Sequence, residues 1–381
     1  MPDVASVTEL SDAVGSWSAR IGVVKVEHGA GALARLGELV AELDGHRAMI
    51  VTDPGIRAAG HVDRALESFG GTSIETCVFD GVEENPTTEH VEAGTRFAAD
   101  HDIDFIVGLG GGSAMDCAKG INFLFTNGGR MEDYRGMHKA TEPMLPSLGV
   151  PTTAGTGSEA QSFALIAEPD THRKMACGDE KAHFRTVILD PELTRTVPRS
   201  VALATGLDAV SHAVESYVAT TRNPVSQMYA REAWRLLSRS FEASVREPGD
   251  LEIRGRMQLG AYLAGAAIEC SMLGAAHACA NPLTARFDIT HGIAVAALLP
   301  EVVRFNRHEV GDIYDDLSPT LAATFDQLRA ATGAEFRLGA LGVDRDSLPE
   351  MAAEAATEWT AGFNPRPVNE VDLLALYEAS F

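Results

Sequence analysis

Asp208, His212, His277 and His291 are the residues of this chain whose types and spacing point most directly to chemistry, because they are four potential metal ligands on a predominantly apolar background. Asp208 and His212 stand at i and i+4 in GLDAVSHAVESYVA, a run with apolar residues at helical period and no Gly or Pro after Gly206. On a helix both project from one face. His277 and His291 bracket AHACANPLTARFDITHG, where the pattern predicts a helix interrupted near Pro282 and resumed after a turn at Gly292. Three imidazoles and one carboxylate suit a borderline divalent ion, Fe(2+) or Zn(2+), better than Mg or Ca, which favour oxygen shells. Spacing alone leaves a second reading open, since an Asp and a His four apart also make an ordinary hydrogen-bonded or surface pair.

Elements on both sides must position these groups. From Ile21 to His101 short β-branched runs alternate with helical segments: VVKV, ALARLGELVAEL, RAMIVTD, HVDRALESFG, ETCVFDGV. Such alternation predicts a parallel, doubly wound sheet. DFIVGLGGGSAMDCAKGINFLFTNG adds a buried strand, a glycine turn and a helix, LPSLGVPTTAGTGSE a strand with a polar glycine-rich loop, and TVILDPELTRTVP closes the α/β part. After about Arg199 the pattern is almost all helical. The expected organisation is therefore an α/β Rossmann-like, dinucleotide-binding domain over 1–198 and an all-α, metal-binding domain over 199–381, with a ligand cleft between them.

At 381 residues, two hydrophobic cores are the expectation, and 45% hydrophobic with 22% charged residues is ordinary for a globular protein. A formal charge of −23 argues against nucleic-acid or anionic-membrane partners. Five cysteines, odd in number and without CxxC spacing, fit reduced thiols and a cytoplasmic location. MPDVASVTELSDAVGSW does not read as a secretory signal, and no run of about 18 apolar residues suggests a membrane span.

Two glycine clusters compete for a nucleotide. Gly29-Ala30-Gly31-Ala32-Leu33-Ala34 follows VVKV and matches G-x-G-x-x-[GA], with Asp53 at a suitable distance for a ribose carboxylate, although a plain strand-to-helix turn would look the same. Gly110-Gly111-Gly112-Ser113 departs from that fingerprint and from the P-loop, yet it too ends a strand and opens a helix.

GLDAVSHAVESY with HACANPLTARFDITHG resembles the paired signatures of the iron-containing, or group III, alcohol dehydrogenases. GGGSAMDCAKG, PTTAGTGSE and DPELTRTVP are similar to that family's other hallmarks, in the same order, so the resemblance runs from about Val23 to Tyr377. It implies the dehydroquinate synthase-like fold shared by iron alcohol dehydrogenases, reversible hydride transfer between NAD and a primary alcohol or aldehyde, Fe(2+) (Zn(2+) as the alternative) on Asp208, His212, His277 and His291, and a homodimer. It favours the second glycine cluster, with Gly111, Gly112 and Ser113 at the pyrophosphate and Thr152 and Thr153 on the adenine and ribose side. Asp53 then takes the ribose hydroxyls, and its carboxylate would repel a 2′-phosphate, so NAD is expected over NADP. Asn85, Pro86, Lys174 and Leu193 are implied as further cofactor contacts. Asp116 is either another or simply an acid near a helix start.

Phe163, Ile268 and Cys279 occupy positions that line the pocket in relatives, implying a small or moderately apolar substrate. Glu269 beside them is a solvated acid or a polar group for a hydroxylated substrate. Where many relatives read HxxxH this chain has His277 followed by Asn281, which cannot titrate. The expectation is that Asn281 orients the substrate oxygen while the proton leaves by water and ribose hydroxyl; the alternative is a residue capping a helix that breaks at Pro282. Maleylacetate reductases and dehydroquinate synthases share the implied fold and remain as alternatives.

Overall fold

A computed structural model describes residues 4–13, 15–170 and 173–381. Residues 1–3 and 14 of the N-terminal stretch read above lie outside them. The chain divides into two compact units, one of Met1–Thr153 with Ser158–Val197 and one of Ala154–Gly157 with Pro198–Phe381.

The first unit is built on strands β1 (Trp17–Ile21), β2 (Val24–His28), β3 (Arg47–Val51), β4 (Glu75–Phe79), β5 (Phe105–Gly110), β6 (Gly136–Met137), β7 (Ser147–Pro151), β8 (Phe163–Ala167), β9 (Lys174–Gly178) and β10 (Thr186–Leu189). Its main sheet has the order β1-β2-β10-β7-β5-β3-β4. All neighbours in it pair parallel except β1, which folds back on β2 through the turn at Gly22 (φ 64°) and makes an antiparallel edge. The all-parallel expectation is corrected there, because the hairpin lies before the alternation becomes regular. A second small sheet, β6-β9-β8, was also not foreseen. Its strands are short and pair partly antiparallel.

β5 is buried along its whole length, FIVGLG, which is why it reads as a continuous apolar run and not as an alternating one. One face of the sheet packs Ile50, Val107 and Val150 against Leu36, Val40 and Val62 from short helices over Leu36–Glu42 and His61–Glu67. From β3 the chain steps outward to β4 and then crosses back, so β5 joins the other side of β3. The ends of β3 and β5 therefore flank the topological switch point, where open α/β sheets leave a crevice.

Helix α1 (Gly112–Asn127) follows β5 in this unit. The second unit is helical: α2 (Arg199–Val218), α3 (Pro224–Arg246), α4 (Leu251–Cys270), α5 (Ala275–Phe287), α6 (His291–Asp315), α7 (Leu321–Thr332), α8 (Leu348–Ala355) and α9 (Glu370–Ser380). α2 packs on α3, α4 and α6 and is buried almost all round from Gly206 to Val218. No single helix among the described residues is long and apolar enough to cross a membrane.

Two expectations about the ligand-bearing helices need correcting. Pro282 does not interrupt its helix: α5 passes through it, and Tyr377 donates from α9 to the carbonyl of Cys279 at 2.6 Å, serving a carbonyl beside the gap in the helical ladder. Gly292 is not a turn either, because α6 begins at His291, one residue earlier. The glycine is needed for close approach: a Cβ there would stand 2.0 Å from the carbonyl oxygen of Ala204 on α2.

Candidate functional site

α2 places Asp208, His212 and Glu215 on one stripe by their i, i+4 and i+7 spacing. His277 lies in the first turn of α5 and His291 opens α6. Asp208, His277 and His291 each offer one ligand atom, and these atoms all lie within 4.8 Å of one another. His212 stands beside this group: its Nε2 is 3.4 Å from Asp208 Oδ1, and its ring stacks on His277 with centroids 4.9 Å apart. His277 Nε2 approaches the same Asp208 oxygen at 3.5 Å.

The electrostatics suit a cation. Asp208 Oδ1 and His277 Nε2 are buried and lack a hydrogen-bond partner among the described residues, an arrangement that costs roughly 1–3 kcal/mol per group unless a ligand answers it. Burial alone would raise the Asp208 carboxyl, but the imidazoles of His212, His277 and His291 together hold it well below the usual carboxylate range. Burial drives His212 down to about 4 against the pull of Asp208, which keeps it neutral and able to ligate. Burial also opposes charge on His277, yet the neighbouring carboxylates of Asp208 and Glu215 carry it up to about 9. The donor set therefore fits a borderline divalent metal, whose binding would displace a proton from His277.

Glu215 escaped the reading of the sequence. Its Oε2 is 2.5 Å from His277 Nδ1 and its Oε1 accepts from the Ala276 backbone N–H at 2.8 Å. The available signal was its place three residues after His212 on the same apolar helix.

Gly292→Ala is expected to push the start of α6 away from α2, since the added methyl meets Ala204 O and lies 3.2 Å from Asp208 Cβ. Overpacking of this kind typically costs about 1–3 kcal/mol, and here it also moves His291 off Asp208. Calorimetry with metal analysis of the variant should show both losses; an unchanged melting temperature and metal content would refute the packing argument.

In the first unit the two glycine clusters separate clearly. The backbone N–H groups of Gly31 and Leu33 donate to Asp190 Oδ1 and Oδ2, each at 3.1 Å. A buried carboxylate of the chain itself thus holds the anion position of the fingerprint-like turn, and Gly29 is there because a Cβ would meet Ser16 Oγ at 2.1 Å. The Gly110–Gly112 turn differs: Gly111 is the N-cap of α1, no side chain caps that helix, and its first turn carries no acid. Gly110 (φ 152°) needs its freedom because a Cβ would press on Ala114 at 2.8 Å.

Several expected cofactor residues gather around this turn. Asp53, at the end of β3, caps the helix Pro54–Ala58 through Ile56 N at 2.9 Å, and its Oδ2 lies 3.5 Å from where a Gly110 Cβ would be. Thr152 N donates to Gly110 O at 2.9 Å, and its buried Oγ1 has no partner among the described residues. Thr153 neighbours Gly111, and Ser113 sits half-buried in the first turn of α1. An uncapped helix start, a Cβ-free turn and a carboxylate just past the end of the adjacent strand fit a dinucleotide.

The remaining expected residues have other surroundings. Asn85 (φ 53°) is exposed and Pro86 buried in the loop that Ala167 N joins at Pro86 O. Lys174 is exposed at the start of β9. Leu193 is fully buried in the sheet core. Asp116 is buried and accepts from Ser158 Oγ at 2.6 Å, so it joins an internal network with Lys119. In the helical unit Ile268 and Cys279 are buried and Glu269 is half-buried; Phe163, half-buried, belongs to the other unit. Asn281 is mid-helix, which removes the capping alternative, and its amide nitrogen donates to Glu358 Oε2 at 2.8 Å, while its carbonyl oxygen has no hydrogen-bond partner among the described residues. All five cysteines are free, and burial pushes every thiol upward, so none is a ready thiolate.

Known proteins are similar to this chain along most of its length. The model for iron-containing alcohol dehydrogenase matches residues 24–191, and that for the Fe-containing alcohol dehydrogenase family, C-terminal, matches residues 202–381. The 1,3-propanediol dehydrogenase of Klebsiella pneumoniae is 34% identical over 371 residues, 93% of this chain and 96% of that protein. The crystal structure of a 1,3-propanediol oxidoreductase superposes with a TM-score of 0.89 at 34% identity, covering 93% of this chain and 97% of the other. A sulfoacetaldehyde reductase from Bifidobacterium kashiwanohense, solved in complex with NAD+, gives a TM-score of 0.86 at 25% identity, covering 96% and 99%. These likenesses define the class as an alcohol oxidoreductase. Within that class, the chain belongs to the iron-containing alcohol dehydrogenase family.

Proposed function

We propose that this protein transfers hydride between NAD(H) and a small primary alcohol or aldehyde, with a divalent metal, iron or alternatively zinc, held by Asp208, His212, His277 and His291. The observation that carries the reading is the convergence of Asp208, His277 and His291 within 4.8 Å, with Asp208 Oδ1 and His277 Nε2 buried and without a hydrogen-bond partner among the described residues. The propanediol dehydrogenase relative and the NAD+ complex of a structural neighbour support the substrate class and the cofactor.

When bound, the metal supplies Lewis acidity toward the substrate oxygen and nicotinamide carries the hydride. The protein's own part is orientation. The Gly111–Ser113 turn and the start of α1 hold the pyrophosphate, Thr152 and Thr153 line the adenine and ribose side, and Asp53 accepts the ribose hydroxyls. Asn281 offers its carbonyl oxygen to a substrate hydroxyl but exchanges no proton, which passes instead through water and ribose hydroxyl. The raised thiols leave no role for a covalent sulfur intermediate.

Incubation with NADH and a panel of aldehydes and maleylacetate, with and without chelator, tests the reading. Chelator-sensitive reduction of small aldehydes is expected. Reduction of maleylacetate alone, untouched by chelator, would replace it with the maleylacetate reductase alternative.

Asp53→Gly is expected to improve the use of NADPH relative to NADH by roughly tenfold, equivalent to about 1.4 kcal/mol of repulsion removed. Ratios of kcat/KM for the two cofactors give the answer, and a wild-type preference for NADPH would contradict the assignment.

A further inference from the structure

Glu215 is fully inside the helical unit, 3% exposed, and both of its oxygens are committed to the start of α5. Oε1 accepts from Ala276 N at 2.8 Å, while Asn364 Oδ1 accepts from the neighbouring Ala275 N at 3.2 Å. The helix has no side-chain cap of its own, since its N-cap is Gly274. A Cβ there would lie 2.9 Å from both Glu215 Oε1 and Asn364 Oδ1 and would press on the two acceptors. The second oxygen of Glu215 receives His277 Nδ1 at 2.5 Å. One carboxylate of α2 thus fixes where α5 starts and how the imidazole in its first turn is turned.

We propose that Glu215 is a positioning residue that sets the tautomer of His277, and with it the metal affinity of the site. The inference rests on the metal-site reading above. A backbone N–H can only donate, so Oε1 must accept from Ala276. Oε2 is a carboxylate oxygen and also only accepts, so His277 Nδ1 keeps its proton, and Nε2, beside Asp208 Oδ1, is the nitrogen left to give up a proton and offer its lone pair to a metal. The same helix, α2, supplies Asp208 seven residues earlier. The ligand and the group that aims its partner therefore move as one rigid body.

Glu215→Gln tests this with almost no change in shape. Ala276 N–H still requires an acceptor, which holds the amide oxygen at that end and turns the NH2 toward His277. Nδ1 must then accept, and the proton shifts to Nε2, aimed at the other ligands. Equilibrium dialysis of chelator-treated protein against Zn(2+), with the visible spectrum of the Co(2+) form as a second readout, should show affinity weakened about 10–100-fold. The melting temperature of the metal-free variant should stay close to that of metal-free wild type. Glu215→Asp, which keeps an acceptor on a shorter arm, should fall between the two.

If Glu215→Gln binds Zn(2+) as tightly as wild type and gives the same Co(2+) spectrum, the residue is only a helix cap and the proposal fails. A metal-free Glu215→Gln that is unstable leaves Glu215→Asp to decide, since a folded Glu215→Asp with wild-type affinity and spectrum also overturns it. Should wild type itself bind neither ion, the metal-site reading and this inference fall together, whereas tight wild-type binding isolates the question of Glu215.

Discussion

His277→Ala is expected to abolish metal retention and to lower kcat/KM for the alcohol by about a thousandfold or more. The magnitude follows from losing Lewis-acid stabilisation of several kcal/mol, at about 1.36 kcal/mol per factor of ten. His277 is the hub of the cluster: it stacks on His212, packs against His291 and approaches Asp208 Oδ1 at 3.5 Å. The substitution also strips Glu215 Oε2 of its partner, although Oε1 keeps the Ala276 N–H and the helix keeps its cap. Metal analysis, kinetics with added Fe(2+) or Zn(2+), and circular dichroism belong together. A folded variant with wild-type metal content would remove His277 from the ligand set.

Lys119→Met is expected to destabilise the α/β unit by about 3–5 kcal/mol, the usual cost of breaking one side of a buried charge network. Lys119 is 2% exposed, and its ammonium donates to Ser158 O at 2.6 Å, Ser158 Oγ at 3.0 Å and Phe163 O at 2.8 Å. Ser158 in turn donates to Asp116, whose carboxyl is raised by burial and held down in part by the Lys119 charge. The methionine fills the volume but satisfies none of these acceptors and takes away the larger of the two lysine charges that act on Asp116, the other being Lys174. At about 2–4 °C per kcal/mol for a unit of this size, calorimetry should record a fall on the order of 10 °C. A shift of no more than about 2 °C would mean the network is worth little.

The features legible in the sequence are those that local geometry decides. Asp208 and His212 share a helix face because four residues make nearly one turn, and the continuous FIVGLG run had to be a strand covered on both sides. The change from alternating β and α segments to unbroken helical period near Pro198 follows from side-chain direction along the backbone, a property of each segment alone. The Gly110–Ser113 turn was visible as a strand end and a helix start for the same reason.

What lay beyond the sequence depends on contacts between distant segments. The Gly29–Ala34 turn has the better fingerprint, yet Asp190, 157 residues from Leu33, accepts from its amides. Only the pairing of β10 beside β2 brings that carboxylate there. Glu215 carries no local mark of its role, because packing alone sets it against His277, 62 residues away. Pro282 reads locally as a breaker, but α5 runs through it in a buried setting where Tyr377 reaches a carbonyl nearby. Propensity and spacing decide which way a side chain points from its own element, and the packing of elements, driven by burial of their apolar faces, decides what it meets.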